Sequence, residues 1–210
     1  AIVEEMWQTV VPGARISRAD AIQPALNWHA VSDTGFAFCD YTIGSTMLVE
    51  SDPLDQVVVG RIAGSRVAGT YRRERIDTAV PFMVVDRPLE VAFTGRIAGT
   101  AVSFSRSDFE DGARRLSGDE GLRVRATGYA PVSEQRLRYW TRTWEYARDV
   151  LLRSPERTPL IQQQARMLML EASLLTCPTT STDPLAAGRP ARPLPAPVRR
   201  ARSSLKPHAP

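Results

Sequence analysis

The sequence predicts an α+β fold in which an antiparallel β-barrel or sandwich is followed by an antiparallel pair of helices. Between residues 27 and 105, strand-like segments follow one another at a spacing of roughly ten residues. Turn residues separate them and no helical pattern intervenes, which excludes a fold built from alternating strands and helices. After residue 130, two segments instead have the apolar spacing of helices.

Side-chain alternation in the strand region indicates burial on at least one face. From residue 36 to 43 the sequence alternates, with Phe36 and Phe38 on one face and Tyr41 on the other. The run from Val57 to Val59 is continuously apolar, which is typical of a strand covered on both faces. Gly64 and the following serine predict a hairpin that leads into a strand over 66–71.

The remaining elements of the first 130 residues follow from turn and cap residues. They are a short helix over 4–11, a strand over 16–26 with a turn near Pro24, a helix over 107–116 capped by Ser107, and a last strand over 121–129. The pentapeptide Gly-Arg-Ile-Ala-Gly occurs at 60–64 and again at 95–99. We interpret both copies as turns at strand ends, because neither copy has the sequence context of a phosphate-binding loop.

Two C-terminal helices are predicted over 133–153 and 158–177, each with an apolar seam at steps of three and four residues. Either both seams pack within their own domain, or one packs on the strands and the other binds a second copy of the chain. The apolar run from Met167 to Leu170 favours the second interpretation, because four consecutive residues point all round a helix. The candidate dimerisation residues are Leu137, Trp140, Trp144, Leu151, Ile161, Leu168 and Leu175.

Charge is distributed unevenly between the body of the chain and its tail. The tail from Arg189 onward holds six of the 27 basic residues, whereas all 23 acidic residues lie at or before Asp183. Residues 1–188 therefore carry 21 basic and 23 acidic residues, which excludes a broad nucleic-acid-binding surface on the body. We divide the chain into a β-domain over 1–130, helices of the same domain over 131–178, a Pro/Ala-rich linker over 179–197 and a final segment over 198–210.

The expected location is the cytoplasm, without a membrane partner. No stretch approaches the roughly 18 apolar residues that a membrane span needs. The first 13 residues carry two glutamates and no basic residue, unlike a secretory signal. Cys39 and Cys177 are far apart in sequence and lie in apolar surroundings, so we expect two reduced, buried thiols.

Reactive groups are sparse in the sequence. His29 is the one histidine of the body and His208 lies in the tail, so a His-based metal site is not expected, and neither is a cofactor. We interpret His29 as a packed or hydrogen-bonded side chain. No catalytic sequence motif occurs, and no two carboxylates form an evident acid–base pair, so an enzyme is the weaker hypothesis.

The order of these segments resembles the N-terminal half of AraC/XylS-type transcription regulators. The resemblance rests on the strand set, the helix pair with Gln164-Ala-Arg-Met-Leu-Met-Leu170, the Pro/Ala-rich linker and the segment from Pro195 to Leu205. It implies a cupin-like antiparallel β-barrel or jelly roll that senses a small molecule or a partner, and a helix pair used for dimerisation. Pro197 to Leu205 is similar to the opening of the first helix of the family's DNA-binding domain. Since only those first turns are present, we do not expect this chain to read a DNA sequence.

The resulting hypothesis is the effector-sensing and dimerisation part of such a regulator, a homodimer that contacts DNA only through a further C-terminal domain. The effector is a small molecule, and the inward-facing candidates to bind it are Phe36, Phe38, Tyr41 and Val58, for which core packing is the alternative role. Two other hypotheses stay open. One is a cupin-like enzyme such as an isomerase or dioxygenase, and the other is a ligand-free module that forms mixed dimers with longer relatives.

Overall fold

A computed structural model describes most of the β-domain and both C-terminal helices. The described residues are 2–11, 13–19, 25–52, 55–64, 66–71, 73–85, 88–154 and 158–182. The predicted turn near Pro24, most of the predicted linker, the segment over 198–210 and His208 lie outside them. Within these ranges, no helix has both the length and the apolar character needed to cross a bilayer.

Eight strands and four α-helices make up the described part of the chain. In order they are α1 (Ile2–Val10), β1 (Ala14–Ala19), β2 (Ala25–Asp33), β3 (Phe36–Ser51), β4 (Gln56–Gly64), β5 (Val67–Tyr71), β6 (Glu74–Ile76), β7 (Phe82–Val84), β8 (Leu89–Ser105), α2 (Arg106–Ser117), α3 (Glu134–Arg148), a π-helical turn (Asp149–Arg153) and α4 (Pro159–Thr176). The predicted N-terminal helix is confirmed as α1, and α3 and α4 occupy the two segments where C-terminal helices are predicted.

The strands form one antiparallel sheet around a long central ladder between β3 and β8. The ladder pairs all 16 residues of β3, from Phe36 opposite Phe104 to Ser51 opposite Leu89. Along the outer edge of β3, β2 pairs with residues 36–44 and β1 pairs with residues 47–51. Along the outer edge of β8, β4 pairs with residues 97–105 and β5 pairs with residues 89–93. The short strands β7 and β6 extend the sheet beyond β4 and β5. The antiparallel β part of the predicted fold class is therefore confirmed.

Two hydrophobic cores lie on opposite faces of this sheet. The inner core contains Tyr41, Ile43, Val91 and Phe93, which come from both halves of the β3–β8 ladder, so the sheet bends round it. Helix α1 closes one side of the inner core with Trp7. The helix core lies on the other face, where side chains of the sheet pack against α2, α3 and α4. Because side chains alternate along a strand, one ladder supplies both cores.

Several strand predictions are corrected by the pairing. The alternating strand predicted from residue 36 to 43 continues to Ser51 as β3. The predicted hairpin at Gly64 is wrong, because β4 and β5 pair with different parts of β8 and not with each other.

Neither glycine pentapeptide is a turn. The first, residues 60–64, is the end of β4 and pairs with residues 97–101 of β8. The second copy covers residues 95–99. It lies inside β8, opposite residues of β3, and Gly95 has a φ of 87° that only glycine adopts readily.

The predicted last strand over 121–129 is wrong, since the segment makes only an isolated bridge between Ala126 and Thr179 within the described residues. Alternate residues Leu122, Val124 and Ala126 are buried, as in a strand. Two of their carbonyl groups, however, accept from side chains of α2: Arg114 Nε donates to Leu122 O at 3.2 Å, and Arg106 Nη2 donates to Val124 O at 3.1 Å. Side-chain donors thus satisfy backbone groups that a ladder would otherwise pair.

A buried carboxylate, Glu110, fixes these arginines. Its side chain is 5% exposed and accepts hydrogen bonds from Arg106, Arg114 and Arg123 at 3.3, 2.9 and 3.0 Å. Burial alone raises the pKa of Glu110, but the hydrogen bonds from Arg123 and Arg106 outweigh burial and hold the pKa below its ordinary value. The ionised carboxylate therefore joins α2 to the extended segment that follows it.

Hydroxyl side chains cap the three helices that follow the sheet. Ser133 caps α3 by accepting from Arg136 N, and Thr158 caps α4, with Pro159 in its first turn. The predicted cap of α2 at Ser107 is wrong. Ser105 is the cap, and its hydroxyl accepts from Asp108 N at 3.1 Å. Because serines occur at both positions, composition alone did not distinguish them.

Replacing Gly99 with alanine tests the close packing of the inner core. A Cβ at Gly99 would lie 2.1 Å from Tyr41 Cζ, which a fully buried ring cannot avoid without moving its neighbours. We expect Gly99→Ala to lower the free energy of unfolding by about 1–3 kcal/mol in urea titrations. Gly121→Ala is the control, because the nearest atom to its Cβ is an exposed carboxylate oxygen at 3.6 Å. Equal stability of the two variants would contradict the tight contact.

Replacing Glu110 with glutamine tests the arginine cluster and gives a pH-dependent result. The folded pKa of Glu110 is lowered from 4.5, so its stabilising effect is complete above about pH 4.5 and is lost as the pH falls through the folded pKa. At pH 7 we expect Glu110→Gln to lose about 1.5–3 kcal/mol of unfolding free energy. The difference in unfolding free energy between Glu110→Gln and wild type should become smaller below pH 4.5. Glu120→Gln, at an exposed position, should have the stability of wild type at every pH. A difference in unfolding free energy that does not change with pH would contradict a stabilising role for the ionised Glu110 carboxylate.

Candidate functional site

The seven candidate dimerisation residues do not share one surface. Trp140, Trp144 and Leu151 are 1%, 4% and 2% exposed and belong to the helix core of their own chain. Leu137, Ile161 and Leu175 are half-buried. Leu168 alone among the seven is exposed, with 38% of its surface accessible. The structure therefore places the α3 seam inside the protomer and turns part of α4 outward.

Aromatic stacking explains why the α3 seam packs inward. The ring of Trp144 stacks on Phe38 of β3 with 4.0 Å between centroids, and Trp140 stacks on Trp144 at 5.5 Å. Trp140 Nε1 donates to the buried Ser173 hydroxyl of α4 at 3.4 Å. These contacts join the sheet, α3 and α4 in series. Large aromatic side chains bury more apolar area than leucine does. The apolar seam of α3 is therefore buried by the sheet and by α4 of the same chain.

An apolar groove lies between α2 and α4, and we name it the α2–α4 groove. It is a cavity of about 410 Å³. Its lining is Gly112, Arg115, Leu116, Gln163, Gln164, Met167, Leu168, Leu170 and Glu171. Leu116, Met167 and Leu168 are 53%, 39% and 38% exposed there. Clustered exposed side chains of this kind mark interaction surfaces more often than scattered ones do.

Glycine at position 112 sets the depth of the groove. A Cβ there would lie 2.3 Å from Leu170 Cδ2, so the missing side chain lets α2 approach α4 closely. Sequence reasoning found the exposed side of α4 through its run of four apolar residues but missed Leu116. That residue lies in the last turn of a short helix, where its exposed position was not evident from spacing.

The four candidate ligand-binding residues are divided between the two faces of the sheet. Phe36 and Phe38 belong to the helix core, whereas Tyr41 and Val58 belong to the inner core. The structure therefore does not bring the four together round one cavity. Phe36 does line a surface cavity between the start of α4 and the β2–β3 turn.

The inner core near Tyr41 is filled by the chain's own aromatic rings. Tyr41 lies 4.9 Å from Trp7 and stacks on Trp28 at 5.3 Å, measured between ring centroids. Trp7 and Trp28 also meet edge to face at 6.0 Å. Burial raises the pKa of the Tyr41 hydroxyl well above its ordinary value, which keeps it neutral. Close packing is the role that these contacts support for Tyr41.

Titratable and metal-binding groups form no reactive cluster in the part of the chain that the structure describes. No group of three or more His, Cys, Asp and Glu side chains lies close enough there to hold a metal ion. His29 is exposed on β2 without a hydrogen bond to a described residue, so its predicted packed or bonded role is wrong. Cys39 and Cys177 are buried free thiols, as predicted. Burial raises the pKa of both thiols, that of Cys177 to about 12.

Comparison with known proteins gives no relative by sequence. No family model matches the chain, and no curated protein matches it. Among solved structures, the chain is similar to the cupin domain of Schizosaccharomyces pombe Cnp3, with 12% identity and a TM-score of 0.34, over 49% of this chain and 80% of that one.

Two bacterial structures give similar values. One is the Cupin_2 domain of an XRE family transcriptional regulator from Enterobacter cloacae, with 9% identity and a TM-score of 0.31, over 38% of this chain and 96% of that one. The other is a predicted oxalate decarboxylase from Thermotoga maritima, with 10% identity and a TM-score of 0.32, over 42% of this chain and 96% of that one. Similarities this low transfer no activity, ligand or partner to the chain. The resemblance to AraC/XylS regulators therefore rests on the sequence alone.

Aspartate substitutions on the two helical seams should have opposite structural effects. Trp140→Asp places a charge among fully buried aromatic rings, so we expect loss of at least about 3 kcal/mol of unfolding free energy, with loss of near-ultraviolet circular dichroism. Leu168→Asp places its charge on an exposed position and should leave the spectrum unchanged. A Trp140→Asp chain as stable as wild type would show that α3 does not pack as described.

Proposed function

We propose that this chain is the effector-sensing and dimerisation part of an AraC-type transcription regulator and that the α2–α4 groove binds a second copy of the chain. The observation that supports the dimer is the groove itself, where Leu116, Met167 and Leu168 are exposed side by side. The regulator assignment derives from the sequence resemblance. On this proposal the chain contacts DNA only through a C-terminal domain and has no enzymatic role.

The charges around the groove suit a two-fold interface. Arg115 of α2 and Glu171 of α4 both line it, so it carries one charge of each sign beside its apolar residues. In a two-fold dimer the same surface meets itself, and each arginine is then able to face the partner's glutamate. This arrangement favours a second copy over a partner with a strongly acidic or basic surface.

A ligand-free dimerisation module is the second candidate function. It is favoured by the packing around Tyr41, whose fully buried ring contacts Trp7 and Trp28. Such a module would form mixed dimers with longer relatives through the same groove. Titration of the chain with small-molecule effectors separates the two candidates, since only the sensor changes its stability on binding a ligand.

Substitution in the groove tests the dimer. We expect the wild-type chain to sediment as a dimer at micromolar concentration, and Leu168→Asp to raise the dimer dissociation constant at least tenfold, which is about 1.4 kcal/mol. The reason is that a two-fold interface would bury two unpaired carboxylates. Analytical ultracentrifugation over a concentration series measures this constant.

Val132→Asp is the matched control, because Val132 is a large apolar residue, 46% exposed, that does not line the groove. It should dimerise like wild type. A wild-type chain that sediments as a monomer at 100 micromolar, or equal weakening by Val132→Asp and Leu168→Asp, would reject the groove as the dimer surface.

A further inference from the structure

A second cavity lies between the β2–β3 turn and the first turns of α4, and Phe36 and Leu151 of the helix core contribute to its lining. Its volume is about 520 Å³, within the range of roughly 300–1,000 Å³ that is usual for small-molecule sites. Val31 and Leu151 contribute apolar lining, and Asp33 and Arg166 contribute opposite charges. Leu151 belongs to the π-helical turn, a local irregularity that occurs frequently at functional sites.

Arg166 is held in a fixed orientation at this cavity. Its guanidinium forms an ion pair with Asp108 of α2 and lies 5.3 Å from the centroid of the Phe36 ring. The side chain is 20% exposed. One nitrogen, Nη2, contacts Asp108, and the other N–H groups make no hydrogen bond with a described residue. A guanidinium positioned in this way has donors left for a planar acceptor such as a carboxylate.

The start of α4 adds a second favourable environment for negative charge. Pro159, the first residue of α4, lines the same cavity, and the helix continues for 18 residues. Pro159 has no N–H and Thr158 Oγ1 accepts from Ile161 N, so the aligned peptide dipoles of α4, more than free donors, give this end a partial positive charge. This partial charge adds to that of Arg166, which lies about two helical turns after Pro159.

Asp33 supplies the opposite charge. It lies in the β2–β3 turn, where its Oδ1 accepts from Thr34 N at 2.6 Å and its carboxylate is exposed to the cavity lining. A simple anion would be attracted by Arg166 and repelled by Asp33. A ligand that carries both charges is attracted by both residues, so the charge pair selects a zwitterion over an anion or a cation.

We propose that this cavity binds a small zwitterion of the α-amino-acid type with an apolar side chain. The carboxylate lies on Arg166 and the start of α4, the ammonium group lies on Asp33, and the side chain packs on Val31 and Leu151. This inference rests on the proposed function, for which it supplies the class of effector. Gln163 lines both this cavity and the α2–α4 groove, so a bound ligand adjoins the dimer surface.

Isothermal titration of the full chain with L-leucine, L-valine and L-phenylalanine, each alone, tests the ligand class. We expect at least one to bind with a dissociation constant below about 1 mM. For the one that binds most tightly, the analogue without the amino group and the analogue without the carboxylate should each bind at least tenfold more weakly. Failure of all three amino acids to bind, or equal binding of either analogue, would overturn the proposal.

Substitutions test the position of the site. Arg166→Gln and Asp33→Asn should each weaken binding at least tenfold, and Arg166→Lys, which keeps the charge but not the planar fork, should fall between Arg166→Gln and wild type. The matched controls are Arg96→Gln, an exposed arginine of β8, and Asp77→Asn, whose Oδ1 also accepts from a nearby backbone N–H. Unchanged binding in Arg166→Gln, or equal losses in the controls, would place the ligand elsewhere.

Sedimentation separates this inference from the proposed dimer. If the amino acids bind and the chain is monomeric with and without ligand, the proposed ligand site is supported and the proposed dimer is rejected. If the chain dimerises through the groove but binds none of the amino acids, the dimer stands and the ligand proposal falls. Both measurements use the same preparation, with circular dichroism to show that each variant is folded.

Discussion

The antiparallel pairing of β3 with β8 is the constraint on which the rest of the fold depends. Its 16 residue pairs run the whole length of β3 and have apolar side chains on both faces. One face is buried along the whole ladder, whereas the other is buried beside Val102 and Phe104 but exposed at Glu90 and Arg96. Both halves of the ladder therefore cover the inner core, and the opposite face of only one half needs the helices. Helices α2, α3 and α4 are thus part of the same folded unit as the sheet.

The different packing of α3 and α4 follows from the need to cover one face of the sheet. The aromatic seam of α3 is buried in the helix core, where Trp144 stacks on Phe38. Helix α4 buries its small residues Ala165 and Ala172 and directs Met167 and Leu168 outward. Because one side of α4 faces the groove and its first turns face the charged cavity, it is the element through which both proposed functions would be connected.

Sequence patterns predicted the local structure better than the pairing between distant segments. Alternation correctly separated Phe36 and Phe38 from Tyr41, but it did not show that each face has its own core, so all four ligand candidates were assigned to one interior. The segment over 121–129 has the alternation of a strand, yet Arg106 and Arg114 bind its carbonyl groups, and such long-range donors leave no trace in local spacing. Exposure of Leu116 and the pairing of Arg166 with Asp108 likewise depend on how α2 meets α4.

The burial of both thiols limits the formation of a disulfide between two chains. Disulfide exchange and alkylation proceed through the thiolate, and a thiol with a pKa of about 12, such as Cys177, is almost entirely protonated at neutral pH. Cys39 is buried as completely and its pKa is raised as well. While the fold is intact, covalent cross-linking of two chains through sulfur is therefore suppressed. A dimer that persists in air without reductant would be held by packing, and denaturation should return it to single chains.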